Sequence, residues 1–355
     1  MNGLPVRAVI TGTGAIASIG YCVPQIWASV RASIARFSCP GPVDRHFAPI
    51  RMAVVTEEDL EPLLPENDVA GWSSRSRRMI RLAAPAIREA TEGHTFSVPP
   101  PLFLGLPRPV EESEPAPAAV MVAAMAKQAN LQVDEKVSQV FPAGRAAFFL
   151  ALDQALRFLA SGRGQSALVG GVDTHLDLRA LANLDIEQRL LGDHVSDGLI
   201  PGEGAGFLVL SRPTAAPKPP ATFIAGVGLA SDPGHRYAEE PARGEGLWNA
   251  MNALSSATPL GNLQIQSTLA GLNGENLGSK EWGVARLRHA SSFAAASRFD
   301  HPADCYGDVG AATGGILAAL AHSALTNRHR EGPMLVWASS DHEERGCTII
   351  DLSKS

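Results

Sequence analysis

The sequence predicts an α/β protein of two duplicated halves stacked as an α/β/α/β/α sandwich. Three observations carry this. Apolar residues make up 45% of the 355 residues, yet only 6% are aromatic and 34 are glycine, a small-residue bias that suits closely packed layers better than a helical bundle. The strand-like AVITGTG of residues 8–14 is echoed by TFIAGVG of residues 222–228, and such a repeat redefines the fold problem. The helix-then-strand run GRAAFFLALDQALRFLASG (144–162) and SALVGGVDTH (166–175) is echoed by GAATGGILAALAHSAL (310–325) and GPMLVWASSDH (332–342).

Taken in order, the first strand ends in GTGAIA (12–17), which fits the weaker form of the dinucleotide-binding fingerprint. A Rossmann unit needs an acidic residue about 20 positions on. RASIARFSC (31–39) offers none, and Pro24 interrupts the helix expected to receive the pyrophosphate. A nucleotide is therefore not expected. SRSRR (74–78) is the densest basic cluster and reads as a solvated helix face, too short for a nucleic-acid footprint. Both repeated helices are apolar around most of their circumference and are expected to be buried, and the strands that follow lack alternation, as parallel strands covered on two faces do. Proline-rich runs at residues 105–118 and 211–220 break the pattern, the second dividing the chain into halves of 1–212 and 219–355.

The formal net charge is −6, with no long run of one sign. Cys22, Cys39, Cys305 and Cys347 stand far apart, with no CxxC pair, so reduced thiols are expected rather than zinc or a disulfide framework. No window approaches 18 uninterrupted apolar residues and no secretory leader is evident. These features predict a cytoplasmic protein without nucleic-acid or membrane partners and without a cofactor.

SDGLIPGEGAGFLVLSRP (196–213), VRAVITGTGAIASIG (6–20) and SALVGGVDTH together resemble the β-ketoacyl synthase branch of the thiolase-like superfamily, over nearly the whole chain and most weakly from Cys39 to Val120. The resemblance implies the five-layer fold. It also implies where acyl condensation would be performed: a cysteine at the start of the central helix, where the helix dipole favours thiolate, two histidines and a lysine. Carried onto this sequence, those positions hold Arg145, Asn273, Asp308 and Ala303, and DHEERGC (341–347) replaces the closing glycine-rich gate. By this resemblance the packing motifs persist while the chemical positions have changed, so synthase chemistry is expected to be absent and an acyl thioester is not an expected ligand.

An arginine at a helix start opposes the helix dipole and needs an anion if buried. A structural ion pair between Arg145 and Asp308, aided by Asn273, is one expectation; Arg145 gripping a substrate carboxylate or phosphate is the other. Cys305, three residues before Asp308, is read as an inert buried thiol, and His175, His194 and His342 as loop histidines. Asp197 and Glu203 are read as scaffold carboxylates. The functional expectation is a pseudoenzyme that binds other proteins, homodimeric through KVSQVF (136–141). It resembles the degenerate thiolase-like proteins accompanying type VI secretion effectors, a resemblance that includes QIWASVRASIARF (25–37) and implies an effector or adaptor partner. The alternatives are a chain-length-factor-like subunit paired with a ketosynthase, and an acyltransferase with a non-standard site.

Overall fold

A computed structural model describes residues 7–68, 72–109, 118–213, 221–258 and 264–352. The strands of the first half are β1 (Ala8–Ala17), β2 (Leu102–Leu106), β3 (Gln139–Pro142), β4 (Ser166–Thr174) and β5 (Glu203–Ser211). Those of the second are β6 (Thr222–Ser231), β7 (Ile265–Ala270), β8 (Phe293–Asp300), β9 (Met334–Ser339) and β10 (Glu344–Leu352). They hydrogen-bond in the order β3-β2-β4-β5-β1-β6-β10-β9-β7-β8. Read outward from the β1–β6 contact, both sides follow one connectivity, each strand of the second half standing where the strand five places earlier stands in the first. The pairing senses repeat too: β2 is parallel to β3 and β4 as β7 is to β8 and β9, while β5 and β10 run antiparallel to both of their neighbours.

The helices are α1 (Val23–Arg31), α2 (Ser74–Thr91), α3 (Ala118–Gln128), α4 (Ala147–Ala160), α5 (Leu178–Ile186), α6 (Glu245–Ala257), α7 (Asn276–Arg288), α8 (Ala303–Tyr306) and α9 (Thr313–Thr326). Three apolar clusters define the layers. Phe148, Phe149 and Leu152 of α4 and Leu317 and Leu320 of α9 pack between the two half-sheets. Ile80 and Ile87 of α2 and Met125 of α3 cover the outer face of the first half, and Leu247 and Leu254 of α6 with Ala285 of α7 cover the second. The α/β/α/β/α stack expected from the sequence is therefore present, and full burial of each large central side chain stabilises it by about 1.5–3 kcal/mol. The proline-rich segments fall partly outside the described residues, at 110–117 and 214–220. No described helix is long and apolar enough to cross a membrane.

Four local expectations need correction. GTGAIA does not form a loop at the end of the first strand; it lies within β1, and a Cβ on Gly12 or Gly14 would come within 2.0 Å of the Ala90 or Ala86 carbonyl oxygen of α2. These glycines exist for close helix-on-sheet approach. Pro24 does not interrupt a helix; it sits in the first turn of α1, where its missing N–H is not needed. β4 and β9 lack alternation because both faces are buried, yet each has one parallel and one antiparallel neighbour. SRSRR is only partly solvated: Arg75 is buried 2.8 Å from Asp173, and Arg78 grips Glu203 and Glu57 at 2.6 and 2.7 Å. Buried carboxylates in β4 and β5 draw this helix face inward, because charge leaving water must be paired.

Glu203 accepts hydrogen bonds from the Val55 amide and the Thr174 hydroxyl, and Asp197 accepts one from the Asn276 amide at the start of α7. On the far side of the central layer, His322 of α9 shares a 2.6 Å hydrogen bond with the Thr222 hydroxyl, and burial pushes its pKa down to about 4. The unfolded chain then binds more protons between that value and the ordinary histidine value near 6.5, so stability falls as pH falls through this window. The expected loss is about 3 kcal/mol from pH 7 to pH 4. Urea unfolding at stepped pH checks it, and His322→Gln is expected to flatten that part of the profile.

Candidate functional site

The starts of α4 and α9 meet at the centre of the molecule, and each is entered through a short 3-10 turn that begins on a glycine with positive φ, Gly144 (+63°) and Gly310 (+50°). Both helix starts direct partial positive charge into one region. Carboxylates answer it: Asp308 accepts from the Gly310 amide at 2.9 Å and Asp173 from the Ala311 amide at 3.0 Å. The glycine at 310 is required twice over, by its φ and because a Cβ there would lie 2.0 Å from an Asp173 oxygen. The segment leading into β5 holds the backbone of Asp308, since the amides of Asp308 and Gly202 bond the carbonyls of Ile200 and Asp308 at 2.8 Å each.

Arg145 lies in the turn before α4, 8% exposed, and faces Asp308, 2% exposed. Its Nε donates to both Asp308 oxygens at 3.1 and 2.9 Å, Nη2 also donates to Oδ2, and Nη1 reaches Asp341 at 2.9 Å. Asn273 Nδ2 donates to Asp308 at 3.0 Å and to Glu275 at 2.7 Å. Arg189 holds Glu275 through two 2.8 Å bonds and Asp341 at 2.9 and 3.1 Å. Arg236 closes the array on Glu275 at 2.7 Å and Asp341 at 3.3 Å. Three guanidinium groups thus alternate with the carboxylates of Asp308, Glu275 and Asp341, while Glu187 at the edge accepts from Arg189 and from the Tyr237 hydroxyl.

Burial alone would raise the pKa of Asp308 and of Asp341; the neighbouring arginine charges, Arg145 foremost, overcome it and hold both well below the usual carboxylate range. Burial likewise opposes charge on Arg145, and the charges of Asp308 and Asp341 hold its pKa well above the ordinary value. Burial and then Asp341 push the Tyr237 phenol up to about 12. Asp308, Asp341 and Arg145 therefore stay ionised through the physiological range, and none of the three is poised to exchange a proton near neutrality.

Behind Arg145, toward Ala303, Tyr306 and Thr313, the cavity measures about 10 Å³, no more than a single water needs. In front of it a mouth of about 380 Å³ opens among Arg108, Arg145, His175, Glu187, Tyr237 and His342. The structure thus brings Arg145 and Asn273 each into direct contact with Asp308 and places Ala303 on the wall of the small cavity. Cys305 is buried on α8, and burial, then Asp304, push its thiol pKa up. His175 contacts the Gly202 carbonyl, and the His194 ring lies against that of His46, tilted by 42°. Sequence reasoning missed Arg189, Arg236, Glu275 and Asp341, which come from separate loops and carry no local motif.

Residues 141–216 match the family "Beta-ketoacyl synthase, N-terminal domain". No curated protein sequence matches the chain. Among solved structures, it is similar to the ketosynthase from module 6 of the bacillaene synthase of Bacillus subtilis 168, at 13% identity and a TM-score of 0.77, over 98% of this chain and 72% of that one. It is also similar to a ketosynthase in complex with its chain length factor from Xenorhabdus doucetiae, at 16% identity and a TM-score of 0.77, over 99% and 100% of the two chains. A third, the ishigamide ketosynthase/chain length factor, aligns at 18% identity and a TM-score of 0.70, over 97% and 99%. At these identities the likeness establishes a thiolase-like, ketosynthase-like fold.

Proposed function

Starting from that ketosynthase-like fold, we propose that this chain performs no acyl condensation and acts as a protein-binding scaffold. The reading rests on Arg145: the start of α4, where the resemblance expects a nucleophile, carries a guanidinium committed to buried carboxylates, with about 10 Å³ behind it. A nucleophile needs a base within hydrogen-bond reach. Here the corresponding positions supply an amide and an ionised carboxylate, Asn273 and Asp308, both already engaged with Arg145 or its partners. Asp308, Asn273 and Arg145 are on this reading structural residues, and Ala303 replaces the lysine.

The partner surface includes β3. It is an end strand of the sheet, its Gln139 and Pro142 are exposed and its Val140 and Phe141 half-buried, and an unpaired edge is a ready template for a second strand. A homodimer paired through β3 is the expected state, with a type VI secretion effector or adaptor as the further partner. Light scattering on the purified chain should give the mass of a dimer, and Phe141→Asp, which places like charges across a two-fold axis, should give a monomer with an unchanged circular dichroism spectrum. A monomeric wild type would refute pairing through β3.

A second reading, a chain-length-factor-like subunit, is favoured by the end-to-end similarity to chains of ketosynthase and chain length factor assemblies. Affinity purification of the chain from its native cells separates the two. An active ketosynthase recovered in equal amounts supports the subunit reading; a secreted effector or its adaptor supports the scaffold.

A further inference from the structure

Beside the ion lattice stand three side chains that it does not use. Antiparallel pairing of β10 with β6, which sets Glu344 opposite Ser231, brings the loop after β6 against the short turn between β9 and β10. Backbone bonds fasten the two: the Asp232 amide donates to the Glu343 carbonyl at 2.8 Å and the Arg236 amide to the Asp341 carbonyl at 3.1 Å. The first segment presents His235 and the second His342 and Glu343. One ring nitrogen from each histidine and a Glu343 oxygen all lie within 4.8 Å of one another, and the ring centroids are 5.5 Å apart.

We propose that His235, His342 and Glu343 bind a zinc-type divalent cation that clips these two segments together at the rim of the mouth. Two imidazoles and one carboxylate form a donor set that zinc takes with a fourth position left to water. Tetrahedral coordination at about 2.0–2.2 Å sets ligand atoms about 3.4 Å apart, so side-chain rotation on the fastened loops suffices to close the site. All three side chains are partly exposed, which leaves an entry path. Arg108 bonds Glu344 and lies 3.6 Å from Glu343, leaving that carboxylate only loosely held. The Tyr237 amide donates to His235 Nδ1 at 3.3 Å, a long bond that a metal at that nitrogen would replace. The clip spans the turn that carries Asp341 and the loop that carries Arg236, and so would brace both partners of the buried lattice from outside. This proposal is independent of the scaffold reading.

The test is titration of tag-free, full-length protein with Zn²⁺ by calorimetry at pH 7.5, with Co²⁺ as the spectroscopic probe. One equivalent per chain and tetrahedral Co²⁺ absorption are expected. His235→Ala, His342→Ala and Glu343→Gln should each weaken binding at least about tenfold while leaving the metal-free melting temperature unchanged. A variant with His46→Ala and His194→Ala, which removes another close histidine pair, with centroids 4.3 Å apart, should bind as the wild type does. Absence of saturable binding, wild-type affinity in all three single variants, or loss of binding in the His46/His194 variant overturns the proposal.

Discussion

Arg145→Met is expected to destabilise the fold by about 3–5 kcal/mol at neutral pH, the usual loss when one partner of a buried ion pair is removed. Methionine fills similar space and suits the helix start, so the loss is electrostatic. Among the described residues, Asp308 would keep Asn273 and the Gly310 amide as side-chain hydrogen-bond partners, and Asp341 would keep Arg189 and Arg236. Adding Asp308→Asn should recover a substantial part of the loss, because a neutral amide removes the stranded charge; a double variant no better than the single one would show that the pair is not the source. The pH dependence follows with a definite sign. In the wild type the depressed pKa of Asp308 contributes stability that is fully present above the unfolded carboxylate value and is lost progressively as pH falls from there through the folded value. Without Arg145, burial raises that pKa, so the variant takes up a proton on acidification and the gap to wild type narrows as pH falls. Denaturant unfolding at pH 7 and pH 5 reads both effects.

Gly206→Ala is expected to cost at least about 3 kcal/mol, and soluble protein is expected to be scarce. A Cβ on Gly206 of β5 would lie 2.2 Å from the Ile316 nitrogen and 2.4 Å from the Gly315 carbonyl carbon of α9. These obstacles are backbone, so no side-chain rotation relieves the contact, and strand and central helix would have to separate across the most densely apolar layer. Gly283→Ala in exposed mid-α7 is the contrasting control: its Cβ meets nothing within 4 Å, and helix propensity predicts a gain of about 0.8–1 kcal/mol. Paired melting curves decide whether the GEGAG segment is retained for packing or for chemistry.

The contrast between these two glycines shows what was legible in the sequence. The repeat was, because layers packed on both faces leave near-continuous apolar runs, and two copies of each run are hard to mistake. The contacts of Asp308 with Arg145 and with Asn273 were reachable through the family resemblance, since it supplies the geometry that joins residues 145 and 308, 163 positions apart. Arg189, Arg236 and Asp341 were not, because each enters the lattice from a loop whose path no periodicity reveals. The arginines of α2 were misread for a related reason. Local charge counting registers Arg75 and Arg78, but Asp173 and Glu203, the buried anions that bring them inward, lie about a hundred residues further along.

The most direct test of the central claim is intact-mass measurement of the protein after incubation with malonyl, acetyl and longer acyl pantetheine thioesters, with any adduct mapped by peptide digestion. Cys39 is exposed, so a Cys39→Ser variant removes background thiol acylation. The account predicts an unmodified mass at every chain length in that variant, because the start of α4 presents the Arg145 guanidinium, committed to Asp308 and Asp341, in place of a thiol. A stoichiometric acyl adduct at Cys305, or at any residue lining the mouth before Arg145, would contradict it.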